Sequence, residues 1–218
     1  MPVYALDDSF NFPPVNMADD DGLLAWGGDL HTNRLLSAYS RGIFPWYNEP
    51  PILWWCPDPR FVLFPEELIT SSSMKKILRK KTFTFSINKD FKSVIHHCKT
   101  TYRPQQDGTW ITDEMEAAFI KLHEAGFAHS AEAWQNNKLV GGMYGIKLGD
   151  VFFGESMFSI VSNASKFAFI NFVKYMQQNE MQLLDCQVYS EHLESLGARM
   201  ISRKEFVQLL KFESAPSK

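Results

Sequence analysis

The chain has 218 residues, of which 45% are hydrophobic and 22% are charged, enough apolar material for one large globular domain or a large domain with a small one. Its three cysteines are widely spaced without a C-x-x-C pair, and its first residues lack a signal-peptide pattern, so we expect a reduced compartment. No apolar run approaches the roughly 18 residues of a membrane helix. The sequence therefore predicts a cytoplasmic protein with no membrane partner.

The net charge of −3 is unevenly distributed along the chain. Residues 1 to 33 contain six Asp and no Lys or Arg, whereas residues 74 to 103 contain nine Lys or Arg and one Asp. A basic segment in an acidic protein is typical of a nucleic-acid contact. A solvated helix face explains the stretch "KKILRKK" equally well when it is taken alone.

The first part of the chain, to about Pro59, is rich in Pro, Gly, Asp and Trp. "TNRLLSAYSRG" predicts a short helix that starts near Thr32 or Asn33 and ends before Gly42. "FPWY" and "WWCPDPR" contain prolines and predict ordered aromatic loops. We therefore expect a small N-terminal domain, residues 1–62, packed against a larger domain, residues 63–218.

The first half of the larger domain predicts three helices and a strand. A serine among residues 71 to 73 is expected to cap the helix "SSSMKKILRKK", and "TFTFSI" alternates as a strand. "NKDFKSVIHHCK" has apolar residues at helix spacing. "TDEMEAAFIKLHEAG" is a helix with Thr112 as its cap and Gly126 at its end.

The second half predicts an antiparallel meander and then alternating strands and helices. "FAHSAEAW", "KLVGGMYGIKLG" and "DVFFGESMFS" are three strands joined by turns at Asn136-Asn137 and Gly149-Asp150. "SNASKFAFINFVKYMQQN" is a largely apolar helix, "MQLLDCQV" a strand and "SEHLESLGA" a short helix. "RMI" is a brief strand, and "SRKEFVQLLKF" is a helix that opens with a capping box. This order predicts an α+β fold with helices on a mixed sheet.

The strand "FFGESMFS" places the carboxylate of Glu155 among apolar side chains. Strand alternation predicts that Glu155, Met157 and Ser159 share one face with Phe153, and that residues 152, 154, 156 and 158 share the other. Burying an ionised carboxylate is costly unless it is paired. Glu155 is therefore a structural residue with satisfied bonds, a solvent-facing residue, or a group that holds a cation in an apolar pocket. Ser156 is not expected to be a nucleophile, because "GESMF" lacks the last glycine of G-x-S-x-G.

Two further polar residues, Asp185 and Gln187, interrupt the apolar strand "LLDCQV". Alternation predicts that both point to the same face, where they need partners. A structural hydrogen-bond network and a reaction centre are both open interpretations. "SNASK" precedes a helix and can cap it or bind an anion there. The sequence contains no metal-binding motif, so we expect no metal site.

Ten segments, in order, resemble the leucyl/phenylalanyl-tRNA–protein transferases between about residues 12 and 210. They are "GLLAWGGDL", "YSRGIFPWY", "WWCPDPR", "GTWIT", "LHEAGFAHSAEAW", "LVGGMYGI", "FFGESMFS", "SNASK", "DCQ" and "HLESLGA".

The resemblance implies a GNAT-like (acetyltransferase-like) fold for the larger domain. It also implies transfer of Leu or Phe, and less well Met, from aminoacyl-tRNA to proteins with N-terminal Arg or Lys, which marks the product for N-degron proteolysis. The aminoacyl ester is already activated, so we expect no cofactor. We expect a monomer.

The same resemblance implies roles for individual residues. Asp185, Gln187 and Glu155 are the expected catalytic residues, and Trp46 and Trp110 are expected to contact the 3′-terminal adenosine. The expected amino-acid pocket comprises Met143, Phe152, Met157, Ser159, Phe172 and Leu184. The residues expected along the tRNA acceptor stem are Lys75, Lys76, Arg79, Lys80 and Lys81.

Three other functions compete with this one. An acetyl-CoA-dependent acetyltransferase needs a glycine-rich pyrophosphate loop where this chain has "SNASK". A transferase that builds cell-wall peptides from charged tRNA is expected to lack the "GIFPWY" and "DCQ" pairing. A non-catalytic tRNA-binding module needs the basic segment and the two Trp, but it does not need Glu155, Asp185 and Gln187 to converge.

Overall fold

The computed structural model describes residues 3–101 and 110–210. The ends of the two predicted domains, residues 1–2 and 211–218, lie outside it, as does the start of the "GTWIT" segment. The described chain is a mixed α/β structure with two mixed sheets and helices.

Within these residues the structure has eleven strands and seven α-helices. The strands are β1 (Tyr4–Leu6), β2 (Leu23–Gly27), β3 (Phe44–Pro45), β4 (Leu53–Trp55), β5 (Arg60–Leu63), β6 (Thr84–Ile87), β7 (Ala128–Gln135), β8 (Lys138–Leu148), β9 (Val151–Ser159), β10 (Leu183–Gln187) and β11 (Arg199–Ile201). The helices are α1 (Thr32–Tyr39), α2 (Ser72–Arg79), α3 (Phe91–Thr100), α4 (Asp113–Glu124), α5 (Ala164–Gln178), α6 (Glu191–Glu194) and α7 (Arg203–Leu209).

The larger sheet has seven strands in the order β11-β5-β10-β9-β8-β7-β6. Neighbouring strands are antiparallel except β9 and β10, which are parallel and joined through α5. The predicted meander β7-β8-β9 is confirmed. Asn136 and Asn137 both have positive φ, 51° and 59°, as a tight hairpin turn with right-handed strand twist requires.

The smaller sheet corrects one prediction, because "FPWY" and "WWCPDPR" are not only loops. Phe44 and Pro45 form β3, which pairs with Trp55 and Trp54 of β4. The prolines are compatible with this pairing because β3 is an edge strand, and an edge strand can lack a ladder N–H. The sheet order is β1-β2-β4-β3.

The predicted domain boundary at residue 62 falls inside a strand of the larger sheet. β5 pairs with both β10 and β11, although it directly follows the segment of the smaller sheet. The division into domains 1–62 and 63–218 stays a prediction.

The predicted helices form, and three begin at the expected caps. Ser71 accepts a hydrogen bond from Met74 N, Thr112 from Met115 N, and Ser202 from Glu205 N. The larger sheet separates two apolar cores. One contains α3, α4 and the N-terminal elements, and the other contains α2 and the buried side of α5.

Candidate active site

A cavity of about 600 Å³ opens where β9 and β10 stop pairing. The two strands pair only from Leu183 with Val151 to Asp185 with Phe153, and their following residues form opposite walls. The separation of two parallel neighbours therefore creates the space. Seven of the predicted site residues line it: Trp46, Trp110, Met143, Glu155, Met157, Leu184 and Gln187.

Four of the predicted catalytic and pocket residues do not line this cavity. Phe152 and Phe172 pack on each other in the core, with ring centroids 4.4 Å apart. Ser159 is exposed and serves the start of α5, where its Oγ accepts from Ser165 N and donates to Val161 O. Asp185 is completely buried beside the cavity.

The predicted alternation along β9 is wrong because the strand bulges at Glu155. Ser156 lies opposite Tyr144 and Gly154 opposite Gly145, so Glu155 has no partner on β8. The extra residue shifts the alternation by one position. Met157 therefore packs against the core that contains Phe152 rather than the core that contains Phe153.

Glu155 receives two hydrogen bonds on one oxygen and none on the other. Tyr39 Oη and Gln187 Nε2 each donate to Oε1 at 2.8 Å. Oε2 is buried, and no described residue bonds to it. Burial raises the pKa of Glu155 to about 8, because it outweighs the opposing effect of these two hydrogen bonds. The carboxyl group therefore exchanges its proton near neutral pH.

Asp185 forms a buried ion pair with Arg60. Arg60 Nε donates to Oδ1 at 2.8 Å and Nη2 donates to Oδ2 at 2.7 Å, and neither residue is exposed. Burial alone lowers the pKa of Arg60, but the attraction of Asp185 outweighs it and leaves the pKa raised. The two groups form an ion pair, and a fork of two hydrogen bonds fixes their relative orientation.

Gln187 has an unusual backbone conformation. Its φ is +64°, and Val188 N donates to Cys186 O at 2.8 Å, so Gln187 is the central residue of a γ-turn in the rarer, strained form. Such strain in a residue other than glycine costs about 1–3 kcal/mol and needs support from the surroundings. Here Asp185 Oδ1 accepts from Gln187 N at 2.9 Å.

This turn corrects the prediction that Asp185 and Gln187 share a strand face. The pairing of β10 with β5 shifts between the two residues, so simple alternation does not apply. The Gln187 side chain lines the cavity and bonds to Glu155. Asp185 is buried outside the cavity lining and bonds to the Gln187 backbone. Gln187 thus links Glu155 and Asp185, and the three residues converge.

Tyr39 and Arg60 were not predicted from the sequence, although both lie in segments that carry the family resemblance. A buried Asp requires a cationic partner, and this requirement was the available signal for Arg60. Tyr39 offered no comparable signal, because its place in α1 is that of an ordinary buried aromatic residue.

The predicted nucleic-acid residues lie at the cavity and on the surface. Trp46 is 43% exposed, and Trp110 is partly buried. The five basic residues of α2 and its C-terminal end are all exposed, and none forms an ion pair with another described residue. Their charges are therefore available to a partner.

Comparison with known proteins decides the family. The model described as leucyl/phenylalanyl-tRNA protein transferase matches residues 62–211, and the model of the N-terminal domain of that transferase matches residues 28–58. The chain belongs to the leucyl/phenylalanyl-tRNA–protein transferase family. It is therefore an aminoacyltransferase that depends on tRNA, and the resemblance seen in the sequence is confirmed.

Curated relatives with this name match nearly the whole chain. The relative from Flavobacterium johnsoniae is 58% identical over 209 residues, which cover 95% of this chain and 98% of the relative. The relative from Syntrophus aciditrophicus is 54% identical over 212 residues and covers 97% of this chain and 89% of its own length. The relative from Pseudomonas fluorescens is 50% identical over 206 residues, with coverages of 93% and 91%.

The described residues contain neither a candidate membrane-spanning helix nor a candidate metal-binding cluster. Across residues 3–101 and 110–210, no helix is long and apolar enough to cross a membrane. The same residues contain no group of three or more His, Cys, Asp or Glu side chains that is arranged to hold a metal ion.

The Tyr39→Phe variant tests the geometry around Glu155. Tyr39 donates to the charged carboxylate and thereby lowers its pKa, so removing the hydroxyl should raise the pKa of Glu155 above its value of about 8. Carbon-13 NMR of glutamate carboxyl groups during a pH titration measures this shift, with Glu155→Gln to assign the signal. Tyr175→Phe, which removes a hydroxyl from an exposed position of α5, is the control. An unchanged or lower pKa in Tyr39→Phe would contradict the described hydrogen bond.

Proposed function

We propose that the protein transfers Leu or Phe, and less well Met, from aminoacyl-tRNA to the α-amino group of proteins that begin with Arg or Lys. The observation that carries this proposal is the hydrogen bond between Gln187 and Glu155 in the wall of an otherwise largely apolar cavity. The product bears a bulky N-terminal residue and is marked for N-degron proteolysis. Because the donor is charged tRNA, the enzyme acts in the cytoplasm, and we propose that it acts as a monomer.

The apolar part of the cavity is the proposed site for the donor amino acid. Met143 and Met157 lie opposite each other on β8 and β9, and Leu184 adds a wall from β10. Methionine side chains are flexible and adapt to ligands of different shape, which suits a pocket that accepts both Leu and Phe. Phe152 and Phe172 support this wall from the core, and Ser159 acts indirectly through the start of α5.

Trp46 and Trp110 are the proposed contacts of the 3′-terminal adenosine. They line the same cavity as the two methionines, although they come from different parts of the chain. Aromatic side chains stack on bases with about 1–3 kcal/mol per base. Stacking there would place the aminoacyl ester, which is attached to the ribose of that adenosine, at the cavity.

Gln187 is the proposed contact of the attacking amine. Its Nε2 donates to Glu155, so its Oε1 is left as an acceptor, and no described residue donates to it. An amide oxygen is too weakly basic to remove a proton, but it can accept an N–H of the amine and orient the nitrogen lone pair toward the ester. Gln187 then positions the nucleophile instead of acting as its base.

Glu155 is the proposed proton acceptor. An N-terminal amine has an unperturbed pKa of about 7.7–8.0, which matches the pKa of about 8 of the buried Glu155 carboxyl. Proton transfer is efficient between groups of matched pKa. The C–N bond forms, the ester C–O bond breaks, and the proton that the amine gives to Glu155 passes to the departing ribose oxygen, which restores the Glu155 carboxylate. Asp185 acts through the Gln187 backbone.

The competing functions have weaker support. A non-catalytic tRNA-binding module does not require Glu155, Gln187 and Asp185 to be connected. An acetyl-CoA site would need free amides at the start of α5, but Ala164 N already donates to Val161 O and Ser165 N to Ser159 Oγ. The parallel pair β9-β10 with its α5 crossover accords with the proposed GNAT-like arrangement.

Transfer of labelled Leu or Phe from charged tRNA to a peptide that begins with Arg tests the reaction and the role of Gln187. We expect the wild-type protein to transfer the amino acid to peptides that begin with Arg or Lys. A peptide that begins with Glu should not react. Gln187→Ala should lower kcat by about 10²-fold, because the amine loses its orienting contact.

The matched control is Gln182→Ala, which removes an exposed glutamine one residue before β10 and should retain full activity. Transfer that ignores the first residue of the peptide would contradict the proposed acceptor. Full activity in Gln187→Ala would contradict the proposed centre, and full activity in Gln187→Glu would contradict a need for the amide.

The double variant Lys75→Gln/Lys76→Gln tests the proposed contact of α2 with the tRNA acceptor stem. It should bind tRNA more weakly and with a shallower salt dependence, because each lost phosphate contact lowers the log–log slope by up to about 0.9. Titrations at several salt concentrations measure both effects. Lys121→Gln/Lys204→Gln removes the same charge from exposed positions of α4 and α7 and is the control. Equal losses in the two double variants would show that only net charge matters.

A further inference from the structure

Arg60 is fully buried, does not line the cavity and has no role in the reaction proposed above. We propose that Arg60 is a positioning residue for aminoacyl transfer, because through Asp185 it holds the γ-turn that presents Gln187 to the cavity. This inference rests on the proposed contact between Gln187 and the attacking amine. It assigns Asp185 to support of that turn and adds Arg60 as the residue that makes the support possible.

The Gln187 backbone leaves the regular pairing of β10 with β5. β10 pairs with β5 through Asp185 opposite Val62 and then Gln187 opposite Phe61, so Cys186 is an extra residue in the ladder. The turn at Gln187 takes its N–H out of regular pairing, and Asp185 Oδ1 accepts it at 2.9 Å. A hydrogen bond to a charged acceptor is roughly twice as strong as one to a neutral acceptor. This bond therefore stabilises a backbone conformation that glutamine otherwise avoids.

The buried carboxylate of Asp185 depends on Arg60. The carboxylate has no access to solvent, and an ionised carboxylate in that position requires a paired cation. Arg60 is the residue that pairs with it in the described part of the chain. Its planar fork occupies both carboxylate oxygens and fixes the plane in which Oδ1 also faces Gln187 N. A lysine at position 60 can supply the charge but not this orientation.

Two aromatic rings pack against the Arg60 guanidinium group. Its guanidinium carbon lies 4.7 Å from the ring centre of Phe44 and 4.5 Å from that of Phe206. Phe44 belongs to β3, two residues before Trp46, and Phe206 belongs to α7. The guanidinium group is thus packed between the smaller sheet and the last described helix. Because Phe44 is two residues from Trp46, this packing connects the segment of the proposed adenosine contact to the Arg60–Asp185 pair that supports Gln187.

A double-mutant cycle tests the proposal. Arg60→Lys is made in the unmodified protein and in Gln187→Ala, and kcat, KM and thermal stability are measured for all four proteins. Arg60→Lys should lower kcat by about 10²-fold in the unmodified protein, since misplacing a reacting group by about 1 Å has an effect of this size. In Gln187→Ala it should lower kcat less than about 3-fold, because residues that act as a unit are not additive.

The loss of thermal stability should be the same in both backgrounds. An equal fall of kcat in both backgrounds, or no fall in either, would overturn the proposal. If Arg60→Lys does not fold, Asp185→Asn replaces it in the same cycle with the same expectations.

Arg34→Lys is the matched control, because Arg34 is also fully buried and bonds to a carboxylate, Asp29, and to the backbone oxygens of Asp7 and Ser9. It should lose stability and keep kcat. A fall of kcat equal to that of Arg60→Lys would assign the effect to general destabilisation and overturn the proposal.

Hydrogen exchange of the Gln187 amide, followed by NMR, tests the same support without any substrate. The amide should exchange slowly in the unmodified protein and in Arg34→Lys, and at least about tenfold faster in Arg60→Lys. Unchanged exchange in Arg60→Lys would overturn the proposal even if transfer to Arg or Lys peptides is observed. Faster exchange would uphold the support of the turn even if the proposed acceptors prove wrong.

Discussion

The hydrogen bond between Gln187 and Glu155 spans two strands that have stopped pairing. Up to Phe153 and Asp185 the backbones of β9 and β10 pair with each other, and beyond that point the side chains of Glu155 and Gln187 form a hydrogen bond between them. The space between them is the cavity. A bulge at Glu155 and a γ-turn at Gln187 lie at corresponding points of the two strands, so irregular backbone on each side turns a polar group toward the other.

The site places two carboxyl groups near each other in different electrostatic environments. Asp185 forms a buried ion pair with Arg60, whereas Glu155 has no ion-pair partner among the described residues, and burial of its carboxyl group raises its pKa. In the proposed reaction each group has a separate role, with Asp185 as a fixed charge and Glu155 as the proton acceptor. Gln187 contacts both, through its backbone and its side chain respectively.

Local features were predictable from the sequence, because their causes are local. The caps at Ser71, Thr112 and Ser202 and the Asn136-Asn137 turn follow from residues within a few positions of one another. β3 and β4 were missed because their pairing joins Phe44 to Trp55 across a proline-rich stretch. Proline and aromatic content alone indicates a loop there and does not reveal the partner.

The candidate site was predictable as a set of residues and not as an arrangement. Glu155, Asp185 and Gln187 stood out because polar groups interrupt apolar strands. Their bonds depend on Tyr39, 116 positions from Glu155, and on Arg60, 125 positions from Asp185. Strand alternation also predicted the wrong faces around Glu155 and Gln187, because β9 and β10 leave regular strand geometry at these residues. Phe152 and Phe172 were assigned to the pocket from the resemblance, but the structure packs them behind its wall.

The most direct measurement is a structure of the protein with an analogue of 3′-terminal adenosine that carries Phe through a non-hydrolysable amide. We expect the Phe ring to lie against Met143, Met157 and Leu184, and the adenine to contact Trp46 or Trp110. We also expect room for an amine nitrogen about 3 Å from both the acyl carbon and Gln187 Oε1. An aminoacyl group bound outside this cavity, or an acyl carbon out of reach of Gln187, would contradict the proposed site.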